Sequence, residues 1–77
     1  MNNTNKIEPG TTYMNNGIPV VALAESSRDT DRALFVSTEY WPTPFVVWTY
    51  TILSNNDIDL YRGEYFATLD EALQSIR

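Results

Sequence analysis

The sequence predicts an α+β fold, an antiparallel four- to five-stranded meander with one C-terminal helix packed on one face of the sheet. The segment Phe45–Leu53 consists mostly of β-branched and aromatic residues, which favour strands. Runs rich in Asn, Asp, Gly or Pro separate it from other strand-like segments, as turns between strands do. From Leu69 onward, apolar residues recur at the spacing of a helix.

The first two predicted strands flank a tight turn. Residues Thr11–Met14 form a short strand, because Asn15–Gly17 after them is typical of a turn that needs positive φ angles. The apolar segment Ile18–Ala24 follows. Pro19 has no amide hydrogen, so this strand should begin irregularly or lie at the edge of the sheet.

Three further strands are predicted before the helix. Residues Ala33–Tyr40 are expected to form a strand with Leu34, Val36, Thr38 and Tyr40 on one face, and the two prolines of Trp41–Pro44 then exclude helix. The alternation in Phe45–Leu53 places Val46, Trp48, Tyr50 and Ile52 on one face and Phe45, Val47 and Leu53 on the other, so both faces are partly apolar, which is typical of a central strand. Ile58–Phe66 returns as a strand, and Gly63 within it indicates a bulge or a close backbone contact.

The C-terminal helix has a clear start signal. Thr68 and Glu71 fit a capping box, in which each side chain bonds the backbone amide of the other residue. One helix is about 10 Å wide, whereas strands lie about 4.8 Å apart, so it covers only two or three strands. Either the sheet curls around its own core, or its other face is a binding or dimer surface. The stripe expected to face the sheet is Leu69, Ala72, Leu73 and Ile76.

Composition limits the domain organisation and the partners. Residues 1–10 are mostly polar and predict a flexible N-terminal arm before a single domain over residues 11–77. The formal net charge of −5 disfavours nucleic acid and anionic membranes and suits a basic protein partner. No apolar run reaches the ~20 residues that span a bilayer, and the start lacks the apolar region of a signal peptide, so we expect a cytoplasmic protein.

The residue types argue against catalysis. The chain has no Cys and no His, and its one lysine, Lys6, lies in the predicted arm, so a nucleophile would lack a base. Asp29 and Asp31 lie in a predicted turn, and the segment from Asn55 to Asp59 lacks the glycine and the glutamate of a calcium loop. We therefore expect no enzyme, no cofactor and no metal.

Aromatic residues are the best candidates for a binding site. Trp48, Tyr50 and Phe66 are expected in the core. Stacking of single-stranded bases would need basic neighbours, and only Arg62 lies in the aromatic C-terminal strand. Trp41 lies in a proline-bounded loop where an indole is hard to bury, and tryptophan is enriched at interface centres. The predicted protein-binding residues are Trp41, Tyr40 and Phe45 as apolar anchors, Glu39, Asp57 and Asp59 as groups that steer a basic partner, and Tyr61 and Arg62 beside them.

The segment Pro44–Leu73, PFVVWTYT…DLYRGEYFATLDEAL, resembles a pattern in small uncharacterised proteins of bacteriophages and bacterial mobile elements. In these a PYV-x-W strand is followed by a Y-x-G-x-YF strand and a TLDEAL helix. The resemblance implies a small module that binds and blocks a host protein, for example a CRISPR or other defence nuclease. A homo-oligomeric accessory or structural protein that uses the exposed sheet face is the alternative. An acidic mimic of nucleic acid also remains open.

Overall fold

The computed structural model describes residues 6–53 and 57–77 and confirms the α+β meander. Every neighbouring pair of strands is antiparallel, and the order in the sheet follows the order in the chain. The elements are β1 (Thr12–Asn15), β2 (Ile18–Glu25), β3 (Arg32–Val36), a turn of 3₁₀ helix (Thr38–Tyr40), β4 (Phe45–Ile52), β5 (Ile58–Phe66) and α1 (Leu69–Ile76).

One predicted strand is shorter than expected. The strand expected over Ala33–Tyr40 ends at Val36, because the Ser37 hydroxyl accepts the Glu39 amide and starts the 3₁₀ turn. Tyr40 therefore leaves the alternation that would have placed it with Leu34. β2 as a whole lies between β1 and β3, but its pairing with β3 begins at Val21, so Pro19 pairs only with Met14 of β1 and lies at a locally unpaired edge, as expected.

The sheet curls into a half-barrel around its own core, which is the first of the two expected alternatives. A parallel bridge between Met14 and Asp57 brings β1 against the start of β5. The inner face of β4 carries Trp48 and Tyr50, as the alternation predicts. The buried inner core consists of Ile7, Tyr13, Val20, Ala22, Ala33, Phe35, Val46, Trp48, Tyr50 and Ile58.

Residues 6–10 form part of the domain and do not project from it as the predicted arm would. Ile7 is only 3% exposed and lies in the inner core. Its amide donates to the hydroxyl of Tyr50 at 3.3 Å, and the Glu8 amide donates to the hydroxyl of Tyr13 at 2.9 Å. The remainder of the predicted arm, residues 1–5, lies outside the described residues. The packed domain thus begins before residue 11.

The helix packs on the outer face of the sheet, mainly over β3, β4 and β5. Ala72 and Ile76 of its apolar stripe are buried with Leu34 and Val47. The predicted N-cap is confirmed, because the Thr68 hydroxyl accepts the Glu71 amide at 3.3 Å. A helix this short is marginal in isolation, so tertiary packing holds it.

Residues of the β2–β3 connection cap the C-terminal end of the helix. The Ser27 amide donates to the Ile76 carbonyl at 2.9 Å, and the Arg28 guanidinium donates to the Ser75 carbonyl at 2.9 Å. These donors satisfy carbonyl groups that have no partner within the helix, and the cation complements the negative end of the helix dipole. We call this end of the half-barrel the capping end, and the opposite end, with residues 37–44, the aromatic end.

Candidate functional site

The β3–β4 connection at the aromatic end is fixed by its own hydrogen bonds. The Ser37 amide donates to the Pro44 carbonyl at 3.0 Å, which closes the loop at its base. Within the loop, the Trp41 amide donates to the Thr38 carbonyl at 3.2 Å and the Thr43 amide to the Tyr40 carbonyl at 2.9 Å. The Trp41–Pro42 peptide bond is cis. The loop therefore presents its side chains from a defined backbone.

Three aromatic rings pack together beneath this loop. The ring centroids lie 5.4 Å apart for Tyr40 and Trp48, 5.8 Å for Tyr40 and Tyr65, and 6.0 Å for Trp48 and Tyr65, all edge to face. This geometry places the positive edge of one ring against the negative face of another. Trp48 is buried, whereas Tyr65 is 48% exposed, so the cluster extends from the inner core to the surface.

Gly63 makes room for this cluster. The strands shift register there, so Arg62 and Gly63 of β5 lie opposite Trp48 of β4. A Cβ atom at Gly63 would lie 2.6 Å from Nε1 of Trp48 and 3.1 Å from Cε1 of Tyr65. The sequence-based expectation of a bulge or a close backbone contact at Gly63 is confirmed in both respects.

Trp41 projects from the rigid loop into solvent and is 75% exposed. We call Glu39, Tyr40, Trp41 and Tyr65 the aromatic surface, since the first three are consecutive in the loop and Tyr65 contacts Tyr40. Tyr65 was not among the predicted binding residues. The signal for it was Gly63 two positions earlier, which leaves the space in which Trp48 meets Tyr65.

The other predicted binding residues do not join this surface. Phe45 is half-buried and packs on the outer face against the core beneath α1, so the sheet separates it from the ring cluster. Asp57 and Asp59 are exposed and line a separate cavity with the β1–β2 turn. Asp59 pairs with Thr51 near the far end of β4, about 20 Å along the strands from Phe45. Trp41 precedes the start of β4, so these carboxylates lie at the other end of this strand from Trp41.

Tyr61 and Arg62 line a separate cavity of about 470 Å³. The Tyr61 hydroxyl shares a hydrogen bond of 3.0 Å with the Thr51 hydroxyl. Arg62 has a φ of 60°, a left-handed conformation that costs a residue with a side chain about 1 kcal/mol or more. The cavity is lined by Asp29, Asp31, Arg32, Thr49, Tyr61 and Arg62, so charges of both signs face it.

A polar network links the helix to the sheet near the capping end. The Glu64 carboxylate accepts the Ser75 hydroxyl at 2.7 Å and the Arg32 guanidinium at 3.1 Å. These two hydrogen bonds hold the pKa of Glu64 below its ordinary value, and the bond from Ser75 has the larger effect. Arg32 also lies 3.8 Å from the carboxylate of Asp29. Burial, in contrast, raises the pKa of the Tyr50 hydroxyl, which therefore stays protonated at neutral pH.

Replacing Glu64 with glutamine should lower the free energy of unfolding by about 0.5 to 1 kcal/mol at pH 7, the range for a largely exposed ion pair. The pKa of Glu64 is lower in the folded state than in the unfolded state. Its contribution to stability is therefore fully present above the pKa of the unfolded state and is lost as the pH falls through the pKa of the folded state. Urea unfolding at pH 7 and pH 3 measures the difference. Asp59→Asn is the control for the loss of one negative charge, and an equal effect of Glu64→Gln at both pH values would contradict the assignment.

Comparison with protein-family models, curated proteins and solved structures gives no match. Within residues 6–53 and 57–77, no helix has the length and apolar character needed to cross a bilayer. No group of three or more acidic side chains in those same residues is placed to hold a metal ion. The interpretation of the site therefore rests on its own geometry.

Proposed function

We propose that the chain is a small protein-binding module without catalytic activity, which recognises its partner through the aromatic surface. One observation carries the proposal: Trp41 is three-quarters exposed, yet the loop that holds it is closed by hydrogen bonds at its base and its centre. A large ring in a mobile loop would need no explanation. A large ring held in solvent by an ordered backbone is suited to enter a pocket of another molecule.

Preorganisation makes such a ring an efficient anchor. Binding normally costs about 0.5 to 1.5 kcal/mol for each flexible side chain or loop residue that becomes ordered, and an ordered loop avoids part of this cost. Tryptophan and tyrosine dominate the energetic centres of interfaces, and the aromatic surface contributes both. Tyr40, the residue before the anchor, has a fixed ring, because that ring contacts the rings of Tyr65 and Trp48.

The finer proposal is a cytoplasmic inhibitor or modulator of a host protein, encoded by a phage or mobile element. It is supported by the resemblance of Pro44–Leu73 to small phage proteins and by the net charge of −5. Nucleases bind their substrates through basic surfaces, which attract an acidic protein and accelerate its association. A defence nuclease whose basic groove is sterically occupied by this domain would lose access to nucleic acid.

Replacing Trp41 with alanine should abolish capture of the partner while changing the melting temperature by no more than about 2 °C, because surface substitutions rarely exceed 0.5 kcal/mol. Affinity capture from host lysate, read by mass spectrometry, identifies proteins held by the unaltered chain and lost with the variant. Leu53→Ala is the matched control, since Leu53 is 61% exposed but follows the last residue of β4, whereas Trp41 precedes the first. A large loss of stability with Trp41→Ala would show that Trp41 supports the fold and would remove the anchor.

A homo-oligomer is the second candidate, and an uncovered part of the outer sheet face favours it. A mostly apolar groove of about 310 Å³ lies beside the region covered by α1, and Val21 and Val36 are half-exposed within it. Light scattering over a range of concentrations distinguishes the candidates, since a dimer that resists dilution but is dissociated by Val21→Glu supports this alternative. The groove is lined by Thr12, Pro19, Val21, Val36, Ser37, Thr38 and Glu39.

A further inference from the structure

We infer that the aromatic surface receives an arginine side chain of a basic protein partner, with the guanidinium stacked on Trp41 and paired with Glu39. This inference rests on the proposed function, which it deepens by naming the chemistry that the partner must present. Three features of the structure support it. They are the distribution of charge, the exposure of the Trp41 indole, and the apolar surface of the neighbouring Tyr40.

Charge is distributed unevenly between the two ends of the half-barrel. In the part of the chain that the structure describes, both ion pairs are made by Arg32, with Asp29 and Glu64. Lys6 donates to the Thr30 carbonyl, and Arg28 donates to the Ser75 carbonyl. These three cations are thus held by groups near the capping end.

Glu39, in contrast, is exposed in the 3₁₀ turn at the aromatic end, and neither of those ion pairs includes it. Its backbone amide is bonded to the Ser37 hydroxyl, so the position of its backbone is fixed. The remaining negative charge of the chain adds to its potential. A cationic group of a partner therefore finds an available carboxylate beside Trp41.

The indole of Trp41 offers a second attraction for the same cation. The face of an aromatic ring is negative, and tryptophan gives the strongest cation–π contact, about 0.5 to 1 kcal/mol at an exposed site and more when water is excluded. With three-quarters of the side chain open to solvent, the ring is accessible to a stacked group. Glu39 and Trp41 are separated by a single residue, and their loop is ordered.

Arginine fits this combination better than lysine does. Its guanidinium is planar, stacks on aromatic faces, is weakly hydrated and can make two parallel hydrogen bonds to one carboxylate. Its aliphatic stem packs on apolar surface, and Tyr40, the half-buried residue between Glu39 and Trp41, provides one. Lysine would keep the charge but lose the stacking and the bidentate contact.

The inference is tested with a defined probe, the capped peptide acetyl-Ala-Ala-Arg-Ala-Ala-amide, titrated into the ¹⁵N-labelled chain. The indole N–H signals of Trp41 and Trp48 are assigned with Trp41→Phe. We expect shifts of the Trp41 indole and of the Glu39 amide that grow with peptide concentration, with little change at the buried Trp48. Two exposed contacts of about 1 kcal/mol each imply a dissociation constant above about 10 mM, so affinities are compared through the slopes of the shifts. A lysine peptide should give slopes about two- to fivefold smaller, as loss of one exposed stacking contact implies. A citrulline peptide, which has the same shape without the charge, should give smaller slopes still.

Glu39→Gln should weaken binding of the arginine peptide by about two- to fivefold, the effect of one exposed ion pair, and Asp59→Asn at the other end should not. Equal shifts with arginine and citrulline peptides, or no shift at Trp41, would overturn the inference. The proposed function can survive that failure. Partner capture that depends on Trp41 but is unchanged by Glu39→Gln and by raised salt would support a binding module and exclude recognition of a cation.

Discussion

Replacing Ile7 with alanine should lower the free energy of unfolding by about 2 to 4 kcal/mol, the range for truncating a buried aliphatic side chain. The Ile7 side chain is 3% exposed and packs in the inner core, so the substitution leaves a cavity lined by apolar groups. A domain of this size has a total stability of about 4 to 12 kcal/mol, so the change is a large fraction of it. Urea unfolding followed by tryptophan fluorescence measures the loss.

The neighbouring residues provide the controls for Ile7. Lys6 and Pro9 are exposed, and Pro9→Ala should stay within about 0.5 kcal/mol of the unaltered chain. Tyr50→Phe removes the hydroxyl that accepts the Ile7 amide at 3.3 Å and should cost about 1 kcal/mol. If Ile7→Ala were no more harmful than Pro9→Ala, residues 6–10 would not be part of the folded domain.

Replacing Gly63 with alanine should destabilise the domain by about 2 to 3 kcal/mol, the upper part of the range for overpacking a core. The added methyl carbon would lie 2.6 Å from Nε1 and 3.0 Å from Cδ1 of Trp48. The indole cannot move away easily, because its ring is in contact with Phe35 at 5.8 Å on one side and with Tyr40 and Tyr65 on others. Thermal unfolding gives the magnitude, and near-ultraviolet circular dichroism reports the displaced Trp48.

Asp59→Ala serves as the comparison for Gly63→Ala. Asp59 lies on the same strand but is exposed, so its replacement introduces no contact with the ring cluster. A Gly63→Ala variant with unchanged stability and an unchanged aromatic spectrum would show that Trp48 does not pack over β5 as described. Gly63→Ala should also weaken binding of the partner, because the added methyl group would displace Tyr65, which belongs to the aromatic surface.

Most of the fold could be predicted because the patterns that specify it are local. The strand Ile58–Phe66 has the predicted bounds, and the helix begins after Thr68 as the capping box predicts. The alternation in β4 correctly placed Trp48 and Tyr50 on one face. In each case, residues that are close together in the sequence are sufficient to specify the feature.

The errors have two causes, contacts with distant residues and one local hydrogen bond that competes with strand pairing. Ile7 is a single aliphatic residue among polar ones, and its segment is held by core packing, by the hydroxyls of Tyr13 and Tyr50, and by the Gly10 amide, which donates to the Ala22 carbonyl. The end of β3 at Val36 depends on one hydroxyl of Ser37, which competes with strand pairing for the backbone.

The candidate site was predicted only in part, for the same reason. The sequence indicated that Trp41 is exposed, and the structure agrees. It could not indicate that Asp57 and Asp59 would lie beside the far end of β4 from Trp41, because strand direction and register decide that separation. Tyr65 joined the site through the register shift at Gly63, which the sequence indicated without showing which ring would enter the space.

The contacts that cap the C-terminal end of α1 lie far from the exposed ring of Trp41. Ser27, Arg28 and Glu64 fasten the helix to the sheet near one end, whereas Glu39 and Trp41 stand on a short loop at the other. Natural variants can therefore exchange residues of that loop to follow a changing target without compensating substitutions elsewhere. For the proposed binding module, such independence would let the specificity of the loop diverge while the scaffold is inherited unchanged.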